Sequence, residues 1–132
     1  MNPRINLKLE RQEKDMYKDY FYLVNLHRPE EMRMSGREID LAAAFAVLGN
    51  FSVEPRSRNT KNFDLLKEQT GMSSSMISQY VAKLMDKRTL IKDEDGLIRL
   101  PDSALQFVKV LKGQLQKEKK FVFNYDIEYE VQ

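Results

Sequence analysis

The chain has 132 residues, 42% hydrophobic and 32% charged, with 22 Lys and Arg against 20 Asp and Glu for a net charge of +2. That is one domain's length, enough to bury a core without staples, and the lack of cysteine excludes a disulfide framework, thiolate zinc sites and cysteine catalysis. A single histidine, His27, excludes a multi-histidine metal site. No run approaches the about 20 apolar residues of a membrane span, and no signal-peptide core opens the chain, so the expectation is a soluble intracellular protein.

Near the start, Ile5, Leu7 and Leu9 alternate with Arg4, Asn6, Lys8 and Glu10, a period of two that predicts a strand over about 4–10. Residues 12–26 carry Met16, Tyr17, Tyr20, Phe21 and Val24 at helical spacing, although Tyr20–Leu26 is also acceptable as strand. His27-Arg28-Pro29 ends that element, because the residue before proline avoids the helical region. Ser35-Gly36-Arg37-Glu38 reads as a capping box. Behind it Ile39, Ala42, Phe45 and Ala46, with Leu48 as a candidate fifth, form a buried helix face. Gly49 or Asn50 is the expected stop.

Residues 51–61 read as a loop carrying Arg56, Arg58 and Lys61. A short helix follows over about 61–69, with Phe63, Leu65 and Leu66 apolar, and Thr70-Gly71 stops it. Ser73 is the expected N-cap of a further helix running to about Lys87. Leu90 and Ile91 begin a strand, Asp93-Glu94-Asp95-Gly96 turns it, and Leu97, Ile98 and Leu100 return. Pro101-Asp102-Ser103 opens a last helix with Leu105, Val108, Leu111 and Leu115 inward. Over 121–131, Phe121, Phe123, Tyr125, Ile127, Tyr129 and Val131 share one face and Asn124, Asp126, Glu128 and Glu130 the other, the longest strand pattern in the chain. Pairing of the two ends would set Arg4 and Lys8 against Asp126, Glu128 and Glu130; exchange of a strand between subunits is the alternative.

The informative stretch is 61–100: helix, glycine-containing turn, helix, two-stranded hairpin, the order of a helix-turn-helix with a wing. At about 100° per residue, Met76, Ile77, Tyr80, Val81 and Leu84 fall on one side of the second helix. Ser74, Ser75, Ser78, Gln79, Ala82, Lys83 and Asp86 fall on the other. A helix entering the major groove needs such a short polar face, with hydroxyls and an amide able to pair with adenine, and its N-terminus offers free N–H groups to phosphate.

Gln69-Thr70-Gly71-Met72-Ser73, the helix from Met76 to Leu84 and the run Leu84–Ile91 resemble the turn, recognition helix and helix-to-wing stretch of MarR-type regulators. The resemblance covers about half of the chain and implies double-stranded DNA binding by a dimer. The chain departs from the family at the wing tip, where Asp93, Glu94 and Asp95 replace a generally basic tip, and phosphate repels acids. It departs again in its terminal strands. Small winged-helix proteins of bacteriophages are a second home for the pattern.

The resulting expectation is a single α+β domain over 1–132, a winged helix-turn-helix core with additional N- and C-terminal β-strands. It is expected to bind double-stranded DNA as a transcriptional regulator or replication accessory, in the cytoplasm of a bacterial or phage-infected cell. Ser74, Ser75, Ser78, Gln79 and Lys83 would face bases or nearby phosphates, and Arg56, Arg58, Lys61, Lys87 and Arg88 would neutralise phosphates. The alternative is a structural or assembly protein, virion-associated for example, that uses the same elements and the terminal strands for protein contacts as a homodimer or higher homo-oligomer. No catalytic or cofactor pattern is visible: Gly36, Gly49, Gly71, Gly96 and Gly113 are widely separated, and the lone histidine has no nucleophile motif around it. Asp93, Glu94 and Asp95 lack the full calcium-loop spacing.

Overall fold

The computed structural model describes residues 12–48, 60–94 and 96–118. Helix α1 (Glu13–Leu26) starts with Glu13 and Asp15 in its first turn, where carboxylates favour the positive end of the helix dipole. Its Tyr17 and Phe21 are buried, and Met16, Tyr20 and Val24 pack against the core. The helical reading of 12–26 therefore holds. His27 closes the helix as its C-cap, and a single 3-10 turn (Glu30–Met32) leads onward. Asn25 fastens this connection from both sides of its amide: Nδ2 donates to the Met34 carbonyl at 2.9 Å and Oδ1 accepts from the Met34 N–H at 2.8 Å.

Helix α2 (Gly36–Val47) begins where the Ser35 hydroxyl accepts the Glu38 N–H at 3.2 Å. The other half of the expected capping box is not made, because the Glu38 carboxylate turns to Lys87. The expected apolar face is also too narrow an account. Leu41, Ala43 and Ala44 are fully buried along with Ile39, Ala42, Phe45 and Ala46. α2 packs against α1, α3 (Thr60–Thr70) and α4 (Ser74–Asp86), and four alanines let these neighbours approach. α2 ends at Val47 with Leu48 as C-cap; Gly49 and Asn50 lie outside the described residues.

α3 stops at Gly71, which takes φ +69°, a conformation that glycine adopts without penalty. The Thr70 hydroxyl donates to the Leu66 carbonyl at 2.7 Å and accepts the Met72 N–H at 3.2 Å. Ser73 then caps α4, accepting the Met76 N–H at 3.3 Å, as the sequence predicts. β1 (Ile91–Lys92) and β2 (Ile98–Arg99) pair antiparallel, with Ile91 opposite Arg99 and Lys92 opposite Ile98. Asp93 closes their turn: its backbone N–H donates to the Leu97 carbonyl at 2.9 Å, and its Oδ1 accepts the Leu97 N–H at 3.0 Å. Gly96 sits in that turn at φ +81°. Helix α5 (Asp102–Glu118) buries Ala104, Val108 and Leu111, with Leu105 and Leu115 partly covered.

The expected α+β class is overturned. Among the described residues, five α-helices carry the core, and the β-structure is one hairpin with two residues in each strand. A sheet that small contributes Ile98 alone to the core, so helix-on-helix packing around α2 supplies most of it. The expected terminal strands over 4–10 and 121–131 lie outside the described residues. α3, its glycine turn, α4 and the hairpin do follow one another in the predicted chain order.

Candidate nucleic-acid interface

α4 divides cleanly into two sides. Ile77, Val81 and Leu84 are buried, and Met76 and Tyr80 pack partly against the core. Ser74, Ser75, Gln79, Ala82 and Lys83 are exposed, and Ser78 is half-covered. The five positions expected to meet bases or nearby phosphates thus share one wet strip of one helix. The strip is short-chained at its N-terminal half, where the Ser73 and Ser75 hydroxyls lie 3.3 Å apart. Lys83 lies with its Nζ 5.2 Å from the Tyr80 ring centroid, a contact worth about 0.5–1 kcal/mol at an exposed site. The first carboxylate on this side is Asp86, at the far end of the helix.

The residues expected to neutralise phosphate are not brought together in the same way. Lys87 is the C-cap of α4, and its Nζ donates to both oxygens of Glu38, at 2.9 and 2.7 Å. Glu38 is only 4% exposed, so this ammonium is taken up by a buried partner and fastens the end of α4 to the start of α2. Arg88 is exposed and adopts φ +59°. Its N–H bonds the Met85 carbonyl at 3.0 Å and the Thr89 N–H bonds the Leu84 carbonyl at 2.9 Å. This is a Schellman closure with arginine where glycine is the usual occupant. Lys61 lies in the first turn of α3, its side chain outside the described set, and Arg56 and Arg58 lie outside the described residues altogether.

The acidic hairpin tip is partly compensated. Arg99 Nε approaches Asp93 Oδ2 at 3.8 Å, and Arg99 Nη1 meets Asp102 at 3.0 Å. Glu94 and Lys92 are exposed, and Asp95 lies outside the described residues. Among the described residues no group of three or more His, Asp or Glu side chains is placed to hold a metal, and no helix is long and apolar enough to cross a membrane. The chain matches no family model, and no curated protein or solved structure matches it significantly.

Sequence reasoning missed two side chains that the structure sets in a cleft, Arg28 and Thr89. For Arg28 a signal existed: it stands seven residues after Phe21 and four after Val24, so it continues the inward stripe of α1. For Thr89, buried at 3% exposure, no local pattern marks the position.

Proposed function

We propose that the chain binds double-stranded DNA by laying the exposed strip of α4 in the major groove. The observation that carries this reading is the contrast around α4. Ser74, Ser75, Gln79 and Lys83 are all accessible while the opposite side is sealed into the core. Short hydroxyls permit close approach, Gln79 offers an amide of the kind that pairs with adenine, and the Ser73-capped N-terminus points its remaining N–H groups outward for phosphate. Lys83, exposed on the same side, adds cationic character further along the helix. With Lys87 engaged by Glu38, fewer phosphates are neutralised than the sequence suggests, so the affinity depends more on the groove contacts and the salt dependence is shallow.

The test is anisotropy of labelled duplexes drawn from a random pool, at low salt and then with salt raised. Binding is expected, weakening with salt, and the double substitution Gln79→Ala with Lys83→Ala is expected to lower affinity at least tenfold, since one bidentate base contact is worth about 1–3 kcal/mol. No binding by the parent chain at low salt overturns the reading.

A further inference from the structure

An open cleft of about 160 Å³ is lined among others by Tyr20 and Phe21 of α1, Arg28 just beyond its C-cap, Arg88 and Thr89 after α4, and Ser103 of α5. A space of about 150 Å³ takes a benzene-sized molecule. One wall is aromatic and braced: the Tyr20 ring stacks on Phe107 at 4.0 Å and 13°, and meets Phe21 edge-on at 5.1 Å.

The charges in the cleft are what call for a ligand. Arg28 Nη1 donates to the Thr89 hydroxyl at 2.8 Å and to the Met32 carbonyl at 3.4 Å. No carboxylate among the described residues lies within ion-pair distance of this guanidinium. Burial lowers the Arg28 pKa and raises that of Tyr20, the mark of a partly desolvated charge with neutral partners. Arg88 is a second arginine lining the same cleft, and it holds a left-handed backbone that costs most residues other than glycine about 1 kcal/mol or more. Two like charges on one cleft repel. Asp102, between the lining residues Pro101 and Ser103, is held by Arg99 at 3.0 Å.

We propose that this cleft binds a small phosphomonoester, its dianion between Arg28 and Arg88 and its apolar body against Tyr20 and Phe21. Two cations balance two negative charges. The donors also outnumber what a planar carboxylate accepts. Each guanidinium offers a fork, the Ser103 hydroxyl is exposed, and the Thr89 hydroxyl accepts from Arg28 and so keeps its own proton to donate. Such a set suits the three terminal oxygens of a phosphomonoester. This binding is separate from duplex DNA recognition by α4, whose phosphates are singly charged diesters.

The full chain is titrated by calorimetry at constant ionic strength with phenyl phosphate, inorganic phosphate and benzoate. Saturable binding is expected for phenyl phosphate, weaker for inorganic phosphate and weakest for benzoate. Arg28→Gln and Arg88→Gly are each expected to weaken phenyl phosphate binding at least tenfold. Arg88→Gly supplies the residue that the backbone favours, so its fold is kept and its loss of binding reports the guanidinium. Lys109→Gln, on the exposed side of α5, is expected to bind as the parent does. Absence of saturable binding by the parent, benzoate binding as tightly as phenyl phosphate, or parental affinity in Arg88→Gly overturns the proposal. Displacement of phenyl phosphate by a short duplex also overturns it, because the two arginines would then belong to a DNA backbone contact.

Discussion

α2 and α4 are almost the same length, and each begins with a serine whose hydroxyl accepts the N–H three residues on. From there they diverge. α2 is enclosed around its whole circumference from Leu41 to Ala46, whereas α4 keeps one side in water from Ser74 to Lys83. The difference teaches where this chain places constraint and where it leaves freedom. α2 is defined by the volume of its side chains, since alanine positions admit the three neighbouring helices and Phe45 fills what remains. α4 is defined by the chemistry of its free strip, which no packing requirement dictates.

If that contrast is right, substitutions should fall in a steep order. Phe45→Ala, in the middle of α2, is expected to destabilise the chain most, by about 3–5 kcal/mol for a fully buried aromatic, read by urea unfolding. A loss below about 1 kcal/mol would show that α2 is not the centre of the core. The junction between the two helices comes next. Lys87→Ala leaves the Glu38 carboxylate buried without its partner and is expected to cost about 3 kcal/mol. Replacing both residues by leucine should recover most of that, since removing a buried charge together with its partner is far less costly than stranding it. Failure of the double variant to recover would mean that the pair is needed for packing as well as charge.

Tyr17 sharpens the comparison on the α1 side of α2. Its hydroxyl donates to Glu13 Oε1 at 2.6 Å, and burial, the hydrogen bond and the nearby carboxylate together raise its pKa well above the ordinary tyrosine value. The folded chain therefore holds a proton that the unfolded chain releases near pH 10. The stabilisation from this group is complete below about pH 10 and is lost progressively as pH rises beyond it. Tyr17→Phe is expected to cost about 1.5 kcal/mol at pH 8, with the gap to the parent closing by pH 11. A gap of the same size at both pH values would refute the linkage. The smallest effect belongs to the free strip: Gln79→Ala and Lys83→Ala should each shift stability by less than about 0.5 kcal/mol, so any loss of DNA affinity in them reports recognition and not folding.

The same two helices show what could be read from the residues alone. The two sides of α4 were legible because polar and apolar positions separate at the helical period, and Ser73 and Gly71 punctuate it. The hairpin was legible from Asp93 through Gly96. The full enclosure of α2 was not, because Ala43 and Ala44 carry no apolar signal strong enough to mark a second buried side; their burial is decided by α1, α3 and α4. The fold class went astray for a related reason. Alternation over 121–131 and 4–10 weighed heavily as strand in the sequence, while the described core is built by helices. Glu38 had a plausible local partner three residues back, yet it pairs with Lys87, 49 positions away, and no local window contains that information. The cleft was half-legible: Arg28 extends the inward stripe of α1, and Arg88 falls where a glycine stop is due, but only the fold shows that the two line one space.

The Glu38–Lys87 contact has a topological meaning as well as an electrostatic one. It joins the start of α2 to the end of α4 across 49 positions, so α2, α3 and α4 form a ring whose ends are tied by charge. Closing a loop of that size removes conformational freedom that lengthens only slowly with chain length. Many small proteins set such a tie with a disulfide; this chain has no cysteine, and one lysine and one glutamate act as its reversible crosslink.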